Sequence, residues 1–86
     1  MVLLDMNIRE AQEIIRRKYY ERDHGRGLFA TFTWFTEEVG ELAEAILSMN
    51  RESQEEELAD VFAWLLSIAN LLEIDLEESF KKKYVD

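Results

Sequence analysis

Apolar residues recur at helical spacing along almost the whole chain, and nowhere do they alternate as a strand requires. Ile8, Ala11, Ile15 and Tyr19, with Ile14 at the margin, form one stripe backed by Arg9, Arg16, Arg17 and Lys18. Asn7 stands just ahead of it with Glu10 three residues on, the spacing of a capping box. These signals predict a first helix from Ile8 to Arg22, then a break over Asp23 to Gly27, which holds two of the three glycines. A second stripe through Phe35, Leu42, Ala45, Ile46 and Met49 predicts a helix that starts between Phe29 and Thr33 and runs to Met49. Gly40 interrupts it at a cost of about 1 kcal/mol relative to alanine, which a close helix crossing would justify. Asn50 to Glu52 reads as a turn. Ser53 with Glu56 reads as a second capping box, opening a third helix that extends to Leu72. Asp75 with Glu78 caps a short fourth helix ending near Lys83, where cations suit the negative end of the helix dipole. The expected fold is all-α, an antiparallel bundle of about four helices in a single domain covering residues 1–86.

Length and charge narrow the function classes. A chain of 86 residues, 48% hydrophobic, buries only about 60–65% of its unfolded surface. A second copy is therefore expected to cover apolar stripes that one chain leaves open. Nineteen acids against ten bases give a net charge of −9, which repels a nucleic acid polymer but admits a small phosphate ligand that carries its own metal. Without cysteine, disulfides, thiolate zinc sites and a cysteine nucleophile are excluded. The single histidine, His24, reads as an exposed loop residue. No apolar run is long enough for a membrane span, and the N-terminal MVLLDMN carries an acid where a signal peptide needs a basic flank. A cytoplasmic protein with no membrane partner is expected.

Two pairs of acids sit where a helix should bury apolar side chains. Glu38 shares its face with Phe35, Leu42 and Ala45, and Glu57 with Val61, Trp64 and Ile68. Glu41 and Asp60 follow each of them at a distance of three residues, so each pair projects from neighbouring turns of one face. An ionised carboxylate in a low-dielectric place costs several kcal/mol unless a cation meets it. An antiparallel hairpin turning near Asn50 to Ser53 would bring both pairs to matching heights. Four oxygen ligands suit Mg2+, with Mn2+ possible, better than zinc or copper. A di-iron site would need Glu-x-x-His motifs, and a calcium loop a DxDxDG segment; neither occurs. Glu37, Glu44, Glu55 and Glu56 fall on polar faces, where a solvated role is the simpler reading. A solvated role for all the acids stays open on spacing alone.

The run Glu37-Glu38-Val39-Gly40-Glu41-Leu42, followed by Glu57-Leu58-Ala59-Asp60-Val61, resembles the EExxE…ExxD signature of the MazG-like nucleoside triphosphate pyrophosphohydrolases. ATFTWFTEEVGELAEAI, EELADVFAWLL and NLLEIDLEESFKKKY are similar to the central helices and closing segment of that all-α superfamily. The resemblance implies cleavage of a nucleoside triphosphate between the α and β phosphates, giving monophosphate and pyrophosphate. It implies magnesium held by Glu38, Glu41, Glu57 and Asp60, with Glu37 orienting water and Glu38 and Glu41 acting in catalysis. Long MazG proteins carry two such domains, so one copy implies a homodimer or homotetramer.

Further substrate contacts follow by residue type. Lys83 and Arg26, with Lys81, Lys82 and Arg22 as similar candidates, could reach phosphates. Trp34 and Trp64, one turn from Glu38 and Asp60, could stack a base, although core packing is the simpler role for each. The competing function is a non-catalytic helical interaction module, or a nucleotide-binding sensor, whose acids hold a structural cation.

Overall fold

Three of the four helices begin at a side-chain cap, Asn7, Asn50 or Asp75, and the other begins at Gly27. The computed structural model describes residues 5–85. Four helices make up these residues, α1 (Ile8–Arg26), α2 (Leu28–Ser48), α3 (Arg51–Leu72) and α4 (Leu76–Tyr84), with no strand among them. The all-α, four-helix expectation holds. The reading of the N-terminal flank falls partly on residues 1–4, outside the described residues.

Asn7 forms the expected capping box: its Oδ1 accepts from the Glu10 amide at 2.7 Å, and its own amide donates to Glu10 Oε1 at 3.2 Å. The end of α1 differs from expectation. The helix runs through Asp23, His24 and Gly25 to Arg26 instead of stopping at Arg22. Asp23 is buried, and its Oδ1 accepts from Arg26 at 2.8 Å and Arg22 at 3.3 Å, so an acid that reads as a loop residue holds the last turn together. His24 is exposed as expected, but it lies on the helix and stacks on Tyr20. Only Gly27 breaks the rod, at φ 97° and ψ 162°, a backbone state that side-chain-bearing residues avoid. Its amide donates to the Asp23 carbonyl at 2.9 Å and its carbonyl accepts from Thr31 at 3.0 Å. One residue thus ends α1 and starts α2, and α2 begins one residue ahead of the expected range.

Between α2 and α3 the connection is equally short. Met49 takes the left-handed conformation (φ 59°) that ends many helices. Asn50 caps α3, its Oδ1 accepting from the Ser53 amide at 3.0 Å. This corrects the expected Ser53–Glu56 capping box and the turn over Asn50 to Glu52. Both Ser53 and Glu56 lie inside α3, because Asn50 already supplies the capping acceptor three residues before Ser53. At the other end Glu73 takes φ 57°, and Asp75 caps α4 as expected, accepting from Glu78 at 3.1 Å.

α3 is the hub. It packs antiparallel to α2, with Gln54 Nε2 donating to the Ala45 carbonyl at 3.4 Å. It also packs antiparallel to α1, where buried Asn70 and Gln12 exchange hydrogen bonds of 3.1 and 3.2 Å. Gln12 further reaches the Ile74 carbonyl at 2.7 Å and accepts from the Leu76 amide at 3.0 Å, so it pins the α3–α4 turn. Arg9 completes that anchor through Asp75 at 2.8 Å and Glu77 at 3.1 Å.

The buried apolar side chains are few: Ala45, Leu66 and Ala69 among the described residues. Phe32, Val39 and Ile46 on α2, and Leu58, Leu65 and Leu72 on α3, remain exposed at intervals of seven residues. Seven residues are close to two helical turns, so each trio forms one continuous stripe. The close crossing expected at Gly40 is absent among the described residues, since a Cβ built there meets nothing of them within 4 Å.

Candidate metal centre

The two-residue connection at Met49 and Asn50 sets the height of everything on α2 and α3. Glu41 lies about as far before the turn as Glu57 lies after it, and Glu38 matches Asp60 in the same way. Glu38, Glu41 and Glu57 each place a carboxylate oxygen within 4.8 Å of the others. Asp60 stands outside that group, on the rim of a neighbouring pocket. Glu37 is exposed and also lies outside it.

Electrostatics record how crowded the cluster is. Burial, the adjoining Glu41 carboxyl, and then the charges of Asp60 and Glu57 push the Glu38 carboxyl up from 4.5 to about 7. Burial also raises Glu57, followed by the charges of Glu41 and Asp60, with Glu38 partly offsetting the rise. Asp60 therefore belongs to the same electrostatic site although it is not in the tight group. Glu38 Oε2 and Glu57 Oε2 are buried with no hydrogen-bond partner among the described residues. Buried polar atoms are almost always paired, and like-charged carboxylates converging on one point call for a cation. Three carboxylates with two orphaned inner oxygens fit a hard divalent ion such as magnesium or manganese.

Two depressions flank the cluster. Toward the turn lies an open groove of about 360 Å³ between Glu41, Glu44, Ser48, Ser53 and Glu57. Toward α1 lies a pocket of about 160 Å³, walled by Tyr19, Arg22, Asp60, Ala63, Trp64 and Ser67. The first is lined by acids, and the second sets one cation, Arg22, and one acid, Asp60, among aromatic rings.

The expected substrate contacts fall in different places. Trp34 is exposed on α2, four residues before Glu38. Trp64 is half-buried, with the Arg26 and Arg22 guanidinium carbons 5.0 and 5.7 Å from its ring centroid, a cation–π arrangement. Lys83 is exposed and lies beside the Tyr84 ring at 5.5 Å. Its helix, α4, is tied to the start of α1 at the Asn70 end of α3, about 15 Å of helix rise from Asp60. Reasoning from sequence missed Asp23, Tyr19 and Ser67. The first had a signal, since Asp23 and Arg26 have the three-residue spacing of helical ion pairs; reading Gly25 as a break hid it.

An all-α hairpin that converges acids from EExxE and ExxD segments defines the class of helical, acid-rich metal-dependent phosphohydrolases. The family model of the MazG nucleotide pyrophosphohydrolase domain matches residues 28–85, more than half of the chain. The chain belongs to that family, whose members are generally hydrolases acting on nucleoside triphosphates and typically use divalent cations. No individual curated protein matches it. The matched segment covers α2, α3 and α4 and leaves α1 outside. No helix among the described residues is long and apolar enough to cross a membrane.

Proposed function

We propose that this protein is a magnesium-dependent nucleoside triphosphate pyrophosphohydrolase of the cytoplasmic nucleotide pool, cleaving between the α and β phosphates. The observation that carries the reading is the convergence of Glu38, Glu41 and Glu57 within 4.8 Å, with a buried, unpartnered oxygen on two of them. Glu38, Glu41 and Glu57 would hold the ion, with Asp60 as the fourth acid beside them. When bound, magnesium offsets phosphate charge and lowers the pKa of a nearby water. A carboxylate of the cluster takes the proton as that water attacks the α phosphorus. The bond from phosphorus to the α–β bridging oxygen breaks, and pyrophosphate leaves. Glu37, beside Glu38, orients the water through its exposed carboxylate.

Self-association belongs to the same reading. The stripes Phe32, Val39, Ile46 and Leu58, Leu65, Leu72 are exposed on one chain, and a second copy laid along them would form a four-helix interface with coiled-coil-like spacing. A homodimer is the smallest assembly that covers them.

Purified protein incubated with a panel of triphosphates, with and without magnesium, tests the reaction. The expected products are monophosphate and pyrophosphate, only with metal. Diphosphate plus orthophosphate, or turnover unaffected by chelator, would overturn the assignment. Binding without turnover would favour a sensor.

A further inference from the structure

A triphosphate brings negative charge to a chain that already carries −9, so where its phosphates lie is decided by the nearest cations. The groove on the turn side of the metal cluster is walled by Glu41, Glu44 and Glu57 and repels them. Lys81 to Lys83 belong to α4, which is anchored at the far end of α3. Arg22 and Arg26, at the end of α1, lie over Trp64, one helical turn from Asp60. Arg22 sits between two rings, 4.3 Å from Tyr19 and 5.7 Å from Trp64, and Arg26 lies 5.0 Å from Trp64. Both guanidinium groups are fixed from beneath by Asp23, which is 2% exposed. Arg22 and Asp60 both line the 160 Å³ pocket.

A buried acid that caps no helix and holds two arginines against an aromatic face has a geometric consequence. Each guanidinium carries five N–H donors in a rigid fork, and Asp23 takes one nitrogen of each. The remaining donors are held in place before any ligand arrives, which spares part of the ordering entropy of binding. Two cations against one acid also leave a net positive charge beside Asp60.

We propose that Asp23 is a positioning residue that holds Arg22 and Arg26 against Trp64 as a preformed cradle for the pyrophosphate portion of the substrate. This rests on the reading that the substrate is a nucleoside triphosphate. It brings α1, outside the matched family segment, into the site.

The test uses pyrophosphate with excess magnesium as the probe, titrated calorimetrically into the full chain. Asp23→Asn and Arg26→Gln are each expected to weaken pyrophosphate binding about tenfold. Arg17→Gln, which repeats the charge change of Arg26→Gln at an exposed arginine elsewhere on α1, is expected to leave it unchanged. In turnover the two site variants raise KM by a similar factor and leave kcat within about twofold, because the acids are untouched. A purely structural role for Asp23 would lower the melting temperature but leave the affinity of the folded variant at the wild-type value, and that result would overturn the proposal. Wild-type protein that binds no pyrophosphate would overturn it as well. Should Asp23→Asn fail to fold, Arg26→Gln decides alone. Pyrophosphate binding that follows this pattern in a protein without triphosphatase activity would refute the reaction and leave the cradle standing.

Discussion

Glu38 and Glu57 reach toward each other across the α2–α3 hairpin, each with its Oε2 atom buried and without a hydrogen-bond partner among the described residues. The pair is a repulsion held in place by a tight turn. Its cost is borne by the apolar contacts of the hairpin around Ala45 and by the caps at its closed end, and a divalent ion would convert that cost into binding.

Glutamine at either position removes one charge and keeps the shape. Glu38→Gln and Glu57→Gln are expected to reduce magnesium-dependent turnover by at least about 100-fold, since loss of even an outer-shell ligand contact costs 10–100-fold. The same variants should melt at higher temperature than the metal-free wild type, because like charges in the cluster are relieved. Normal turnover in either variant would remove that residue from the ligand set.

Raising Glu38 from 4.5 to about 7 fixes the sign of a pH effect. Between those values the folded state binds more protons than the unfolded one, so stability falls as pH rises through the window. Glu57, also raised, acts in the same direction, while Asp75, lowered by Arg9, acts oppositely only below its ordinary range. The metal-free protein should therefore lose a few degrees of melting temperature between about pH 5 and pH 7.5. Added manganese or magnesium should restore it at the upper end, and Glu38→Gln should flatten the slope. A melting temperature that rises across this range in the absence of metal would contradict the crowded cluster.

The exposed stripes predict a size. Wild-type protein should elute as a dimer or tetramer of the 10.2 kDa chain. Ile46→Lys combined with Leu65→Lys should shift it toward the monomer, because a charged side chain in each stripe must be desolvated for the interface to close. Sedimentation velocity distinguishes the states, and an active, stable wild-type monomer would refute the assembly.

Capping supplies a fourth check. Asn50→Ala is expected to cost about 1 kcal/mol of stability, measured by chemical denaturation. Ser53→Ala should cost far less, since the Ser53 amide, not its hydroxyl, makes the capping contact. Equal losses would return the start of α3 to Ser53.

Much of the fold was legible because helices announce themselves locally. The Asn7 and Asp75 caps, the end of α3 at Leu72 and the helical spacing of the acids are set by residues within four positions of each other. The errors also have local causes. Gly25 resembled a break, yet its neighbours Asp23 and Arg26 bond across one turn and carry α1 through it. Ser53 with Glu56 matched a capping pattern that Asn50 had already satisfied.

The sequence by itself determined four helices and the spacing that puts Glu38 with Glu41 and Glu57 with Asp60. It determined too the acidic balance of the chain, because periodicity and charge are read from the residues themselves. Only the tertiary structure decided that Glu38, Glu41 and Glu57 close to 4.8 Å while Asp60 turns to the adjoining pocket. It alone buried Asp23 beneath two arginines and moved Lys83 to the far end of α3. Those distances depend on how α1 and α2 lie across α3, and the two single-point bends that set this, at Gly27 and at Met49, act on residues far from themselves in the chain.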